Sequence, residues 1–289
     1  MTEPGQTPLD ALVELLDLER IEVDIFRGRQ PPVALQRVFG GQVAGQALVA
    51  AGRTVPADRP VHSLHAYFLR PGDPSVPIVY EVDRIRDGRS FTTRRVVAVQ
   101  HGKAIFNLSA SFHVLEPGVA HEPTMPAVTP PEELPTLQEV MKPYDHELGG
   151  WYSRPRAIDI RYVDDHPRIA KDKGAPSTHS RVWMRADGVL PDEPLLHVCA
   201  TTFASDMTLL DSPLLAHGLA FGSGDVIGAS LDHAMWFHRP FRADEWFLYD
   251  QESPWAGGAR GLARGSIYTR EGHLAVSVVQ EGLLRLRSR

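Results

Sequence analysis

The sequence predicts an α+β protein made of two copies of one unit, each a central helix followed by several antiparallel strands. Three observations carry that expectation. Small and apolar residues in FGGQVAGQALVAAGRTV recur at helical spacing, and the runs that follow it, beginning with VHSLHAYFLR and VPIVYEVDRIRDG, read as strands separated by turn pairs. A proline-dense stretch from Glu116 to Pro135 then breaks the pattern, because residues that lack a backbone donor cannot build a central strand. Beyond it the pattern returns: Arg70-Pro71 matches Arg239-Pro240 at an offset of 169, and Gly102 matches Gly272 at an offset of 170. Two matches in one order at nearly one offset mark an internal duplication.

The elements follow in order. DALVELLDLERIEVDIFRG gives a short amphipathic helix with Leu12, Val13 and Leu16 on one stripe, leading into a strand around Ile21 to Phe26. The Ala-rich helix comes next, with Gly40 and Gly41 at its start, where backbone can approach another group closely. SFTTRRVVAVQHG and AIFNLSASFHVL complete the first set of strands, with Asp87-Gly88 and His101-Gly102 as turns between antiparallel neighbours. The expected division is a first unit over 1–115, a connector over 116–145 and a second unit over 146–289. In the second unit DEPLLHVCATTFASDMTLL is the helix, ASLDHAMWFHRPF parallels HSLHAYFLRPGD, and GLARGSIYTREGHLAVSVVQEGL supplies the last strands. Side-by-side packing of the two halves would close sheet edges that each alone leaves exposed.

The bulk numbers exclude several classes. A chain of 289 residues buries a large core without help from metals or disulfides, and Cys199, the only cysteine, permits neither an intrachain disulfide nor a cysteine metal cluster. A net charge of -6 with both signs well mixed gives no electrostatic reason to expect nucleic acid. No stretch approaches the roughly 20 apolar residues of a membrane span, and MTEPGQTPLD lacks the basic and apolar regions of a leader. The expectation is a cytoplasmic protein without membrane insertion; the ending LRLRSR also lacks a Ser-Lys-Leu address.

Three polar residues sit where apolar ones are expected. Cys199, Phe203, Asp206 and Leu210 share one helical stripe, so Asp206 faces inward and needs donors around it. It reads equally as a structural acid and as a catalytic one. Leu274, Val276, Val278 and Gln280 share one strand face, which makes Gln280 an amide at the end of an apolar row. On a regular strand Ser230, Asp232, Ala234 and Trp236 point one way and His233 the other, so Ser230 keeps company with Ala234 and Asp232 does not share a pocket with His233. G-x-S-x-G, H-E-x-x-H, the P-loop and the dinucleotide fingerprint are all missing. His62 and His65, like His233 and His238, lack a carboxylate companion suited to a metal.

The runs RVFGGQVAGQAL, VHSLHAYFLRPGD, DGRSFTTRRVVAVQHGKAIF, FASDMTLL, LDHAMWFHRPF and SVVQEG, in this order, resemble the medium-chain acyl-CoA thioesterase II family of the TesB type. The resemblance extends from about Leu12 to Leu284. It implies a double hotdog: two antiparallel sheets, each wrapping a central helix, joined as one continuous pseudo-twofold sheet. It also implies hydrolysis of acyl-CoA to a free acid and coenzyme A, with no separate cofactor, by a dimer or tetramer. By motif, the water-holding roles fall on Asp206, Ser230 and Gln280, with serine where the family representative carries threonine. Backbone near Gly40 and Gly41 is the candidate oxyanion donor, and Arg86, Arg89, Arg94, Arg95, Arg260 and Arg264 are candidates for the nucleotide portion of the substrate. Two other readings remain open: a hotdog hydratase or dehydratase, and an acyl-CoA-binding protein without turnover.

Overall fold

The computed structural model describes residues 5–31, 36–148 and 152–287. The first four and last two residues of the chain, on which the readings of its two ends partly rest, lie outside the described residues. Thr7 caps helix α1 (Pro8–Leu16) in a reciprocal box with Asp10, and the helix buries Leu9, Leu12 and Leu16. Next come β1 (Glu19–Glu22) and β2 (Ile25–Gly28), the Ala-rich helix α2 (Gly40–Gly52), and β3 (Val61–Phe68), β4 (Ile78–Asp87), β5 (Phe91–Gln100) and β6 (Lys103–His113). The expected connector itself carries α3 (Leu137–Met141), and after it lie β7 (Ile158–Tyr162), α4 (Pro167–Lys173), β8 (His179–Ala186) and the second central helix α5 (Pro194–Ser205). Helix α6 (Asp211–Leu215), β9 (Val226–Ser230), β10 (Asp232–Phe237), β11 (Phe247–Gly257), β12 (Arg260–Thr269) and β13 (Leu274–Leu286) complete the chain.

All strands of the described residues join one antiparallel sheet in the order β1-β2-β4-β5-β6-β3-β10-β13-β12-β11-β8-β7, with β9 added on β13. The two halves of that order mirror each other about the β3–β10 seam, where Leu64 faces Met235 and both are fully buried. The sheet is therefore continuous and pseudo-twofold, as a double hotdog requires. The turn glycines matched in sequence occupy equivalent places: Gly102 closes β5–β6 and Gly272 closes β12–β13, both at positive φ where glycine carries no Cβ penalty.

The two central helices lie against each other and against the inner face of the sheet. Glycines set their distance: a Cβ added at Gly41 would meet the Phe203 carbonyl at 2.4 Å, one at Gly45 the Cys199 carbonyl at 3.2 Å, and one at Gly52 the Leu195 side chain at 2.6 Å. Helix α2 is buried nearly all round, so its two glutamines need internal partners. Gln46 donates to the Leu15 carbonyl at 2.6 Å and accepts from the Tyr80 hydroxyl at 2.7 Å; Gln42 donates to Gln30 at 3.0 Å. The Pro-rich connector is extended and lies on the second half, where Trp183 donates to the Thr129 carbonyl at 2.9 Å and Met125, Val128 and Leu134 pack on Trp183, Trp246, Leu248 and Tyr268.

One expected strand is two. Around Ile21 to Phe26 the chain reverses at Asp24, which adopts φ 61°, and β1 pairs back on β2. Asp24 is one of the few residue types that tolerate this left-handed conformation.

Close approach also shapes the second half, where an added Cβ at Gly265 would meet the fully buried Tyr249 ring at 2.3 Å. Gly265→Ala should therefore lower stability by about 1–3 kcal/mol, the usual cost of overpacking a core. Urea unfolding of the two proteins checks this, and equal midpoints would contradict it.

Candidate active site

Asp206 stands where the two halves meet. Helix α5 ends at Ser205, so Asp206 is its C-cap, with φ -85° and ψ 0°, rather than a member of the helical stripe read from the sequence. Leu210 lies beyond that helix, as the N-cap of α6. From this position the Asp206 carboxylate reaches the first turn of α2. Phe39, the N-cap there, offers no side-chain oxygen, which leaves first-turn amides available. The Gly41 N–H is directed at the carboxylate. Gly40 makes room for it, since a Cβ there would stand 2.6 Å from Asp206 Oδ2 and 2.9 Å from the Phe68 ring.

Two side chains from the sheet complete the group. Gln280, fully buried on β13, donates from Nε2 to Asp206 Oδ1 at 2.6 Å. Ser230, the last residue of β9, donates from Oγ to the same oxygen at 3.3 Å. The structure thus brings Asp206, Ser230 and Gln280 into direct contact.

A break in strand alternation places Ser230. It pairs with Gly282, whereas Ala234 pairs with Val279, so the 230–234 segment carries one residue more than its partner. Leu231 and Asp232 both bond to Glu281: the Leu231 N–H to its carbonyl at 2.9 Å, and the Glu281 N–H to the Asp232 carboxylate at 2.7 Å. This is a β-bulge. It corrects the expectation that Ser230 shares a face with Ala234; Ser230 instead shares the inner face with His233 and Met235.

Burial pushes the Asp206 carboxyl up from the ordinary 3.8 to about 6, while the hydrogen bonds from Gln280, Ser230 and Gly41 and the positive charge of Arg37 pull the other way. The residue as a whole keeps partial surface exposure, while dense protein around the carboxyl makes it ionise just below neutrality. That combination suits a general base. Cys199 is unsuited to nucleophilic work: it is fully buried, and burial pushes its thiol well above the usual range.

The arginines chosen from sequence lie elsewhere. Arg94 is itself buried, where it donates to the Thr54 hydroxyl at 2.8 Å and to Asp87 at 2.6 Å, tying the β4–β5 hairpin to the end of α2. Arg95 pairs with Asp83, Arg260 with Glu281 and Arg264 with Glu252. Strand register sets Phe68, Phe106, Ala98 and Tyr80 at the Asp206 end of the sheet and Asp87, Thr92 and Phe112 at the other, so Arg86 and Arg89 lie toward the far end. Arg260 and Arg264 project from the face opposite Ala263, the strand partner of Gln280. The cation beside the site is Arg37, which donates to the Gly228 carbonyl at 3.0 Å. Sequence reading passed over it, although it stands three residues before the Gly-Gly helix start. An open surface cavity at Arg239, Trp246 and His273 and another at Leu9, Val13 and Pro191 are both lined without any of the three site residues.

Comparison with known proteins agrees with this architecture. Residues 155–283 match a family model described as acyl-CoA thioesterase, and residues 26–113 match one described as acyl-CoA thioesterase N-terminal domain. Acyl-coenzyme A thioesterase 8 of Mus musculus is 44% identical over 289 aligned residues, covering 96% of this chain and 89% of its own. Acyl-CoA thioesterase 2 of Haemophilus influenzae is 38% identical, covering 96% and 98%. Among solved structures, acyl-CoA thioesterase II TesB2 from Mycobacterium marinum superposes with a TM-score of 0.79 at 46% identity, covering 96% of this chain and 98% of its own.

The raised carboxyl has a consequence for stability. A proton binds Asp206 more tightly in the folded chain than at the ordinary 3.8, so the stability it contributes is full below that value and lost as pH rises through about 6. Asp206→Asn, which carries no charge, should therefore be more stable than the parent by about 1–3 kcal/mol at pH 8, with the gap closing between pH 6 and 4. Denaturant unfolding at several pH values tests it; a gap that is constant or widens on acidification would contradict the account.

Proposed function

The chain belongs to the acyl-CoA thioesterase II family, and on that footing we propose that it hydrolyses acyl-CoA with a water held by Asp206, Ser230 and Gln280. The observation that carries this reading is the convergence of Gln280 Nε2 and Ser230 Oγ on one oxygen of Asp206 at the start of α2. With Oδ1 engaged by both side-chain donors, Oδ2 is the oxygen without one and receives the proton from water. The water oxygen attacks the thioester carbon, Asp206 takes the proton, and collapse of the tetrahedral intermediate breaks the C–S bond and releases the coenzyme A thiolate, which is protonated on departure. First-turn amides of α2 not committed to Asp206, Gly40 among them, supply the oxyanion donors. Serine in place of threonine keeps the hydroxyl but loses the methyl that restricts its rotamer, so water is held more loosely without a change of reaction.

Phe39, Phe68 and Phe203 surround this helix start, and we assign the acyl chain to them. Arg37 is the cation placed to meet the polar end of the substrate. The exposed Tyr67, Ile85 and Phe91 support self-association as a dimer or tetramer. A hydratase would need a second acid–base group in contact with the substrate carbons, and the nearest imidazole, His233, is 1% exposed. A binding protein without turnover is separated from the enzyme by release of free thiol.

A panel of short, medium and long acyl-CoAs with thiol detection should give turnover, and Asp206→Asn should lower kcat by roughly 10²-fold or more at unchanged fold. Near-parental activity in that variant would remove Asp206 from the mechanism. Because the base must be ionised, kcat/KM should rise with pH about a midpoint near 6, set by burial against Gln280, Ser230, Gly41 and Arg37. Ser230→Ala and Gln280→Ala should be strongly non-additive with Asp206→Asn, since all three act on one water.

A further inference from the structure

Gln280 is held from behind by a second group of buried polar atoms that the hydrolytic reading does not use. His233 lies on β10, 1% exposed, one ladder step from the Ala234–Val279 pair and therefore beside Gln280 on the inner face. Its Nε2 is 2.9 Å from Ser205 Oγ, at the end of the helix that Asp206 caps. Its Nδ1 and Gln280 Oε1 are both buried without a hydrogen-bond partner, and the two side chains interact, with Gln280 favouring a proton on the imidazole.

The polarity of this group follows from one end. Asp206 Oδ1 only accepts when ionised, so Gln280 must present its NH2 there, at 2.6 Å. Its Oε1 is then turned to His233, which can meet it only with a proton on Nδ1. A neutral ring protonated at Nδ1 leaves Nε2 as an acceptor, so the single Ser205 hydroxyl proton, which has the Thr202 carbonyl at 3.0 Å as its other acceptor, must turn to Nε2 at 2.9 Å. Every hydrogen then points the same way: Ser205 Oγ–H to Nε2, Nδ1–H to Oε1, and Gln280 Nε2–H to the carboxylate.

We propose that His233 is a positioning residue for the hydrolysis, a neutral Nδ1–H tautomer fixed by Ser205 that locks the Gln280 amide with its nitrogen toward Asp206. Without that lock the amide can turn over, setting Oε1 against the carboxylate and removing a donor from it. Burial holds the imidazole down at about 4, so it stays neutral wherever Asp206 is ionised. The inference rests on the reading of Asp206 and Gln280 as the groups that hold the water.

The test combines kinetics with a measurement on the unaltered protein. In the parent, 15N NMR of the His233 ring should show the proton on Nδ1 and a bare Nε2 between pH 6 and 9; a proton on Nε2 would overturn the proposal whatever the variants do. His233→Leu should lower kcat roughly tenfold or more while KM changes little, the pattern of a group acting only on the reacting geometry. It should also move the midpoint of the pH profile upward, because the Gln280 donor that pulls the Asp206 carboxyl down is lost. His233→Asn, whose side-chain N–H can stand near the Nδ1–H position, should recover most of the rate and the original midpoint. In the His233→Leu background, Gln280→Ala should cost little more. If Gln280→Ala alone leaves the parent rate unchanged, the reading of the site fails and takes this inference with it. If Gln280→Ala is slow but His233→Leu matches the parent, or if the two effects multiply, the site stands and the role of His233 falls.

Discussion

The rest of this structure is arranged around one electrostatic contact: a carboxylate from the second half, Asp206, set against the first turn of a helix from the first half. Each half supplies what the other lacks. Helix α2 starts without a side-chain cap, so its amides point at open space unless an anion fills it, and a helix start is favourable ground for negative charge. Helix α5 ends in an acid that would otherwise be half-buried and under-solvated. Bringing them together needs the helices almost in backbone contact, which Gly41 and Gly45 permit, and the sheet continuous across the β3–β10 seam, which fixes their relative height. The site is thus a product of the duplication rather than of either unit.

How much of this was legible in the sequence depended on whether a signal was periodic. The helix α2, the strands β3 to β6 and the turn glycines Gly102 and Gly272 follow regular spacing, and they appear where the pattern put them. The order of motifs likewise marked Asp206, Ser230 and Gln280 as a group, and the fold brings those three side chains together. Irregularities were not legible. The bulge at Leu231–Asp232 changes the face of every residue before it, and nothing in SLDHAMW distinguishes an extra residue from a regular strand. The reversal at Asp24 lacks the Gly or Pro that usually announces a turn. Arg94 illustrates a different limit: the sequence allowed both a substrate contact and a structural ion pair, and the structure shows the ion pair, with Asp87. Charge predicts exposure on average, and only the three-dimensional position of Thr54 and Asp87 shows that this guanidinium is a buried tie between a hairpin and a helix end.

The balance at Asp206 also explains why its neighbours are neutral. A full positive charge in contact would drive the carboxyl low and leave a weak base; with no donors, burial would drive it too high to ionise at neutral pH. An amide, a hydroxyl and a backbone N–H give an intermediate result, and the nearby cation, Arg37, adds to it while bonded to a backbone carbonyl rather than to the acid. Neutral donors have a cost in geometry. An amide is a donor at one end and an acceptor at the other, and a hydroxyl rotates, so neither is aimed by charge alone.

The bulge answers that difficulty. In a regular strand one of Ser230 and His233, three residues apart, would face the outer side of the sheet. One extra residue puts both inward, so the hydroxyl meets Asp206 directly and the imidazole meets the far end of Gln280. The Leu231 N–H and the Asp232 carboxylate close the distorted ladder on Glu281, and the Leu231 carbonyl accepts from the Phe68 N–H. A local irregularity in pairing therefore does for the side chains what a cation would do by attraction: it aims neutral donors at one oxygen, and it does so without moving the carboxyl out of the range in which it can accept a proton.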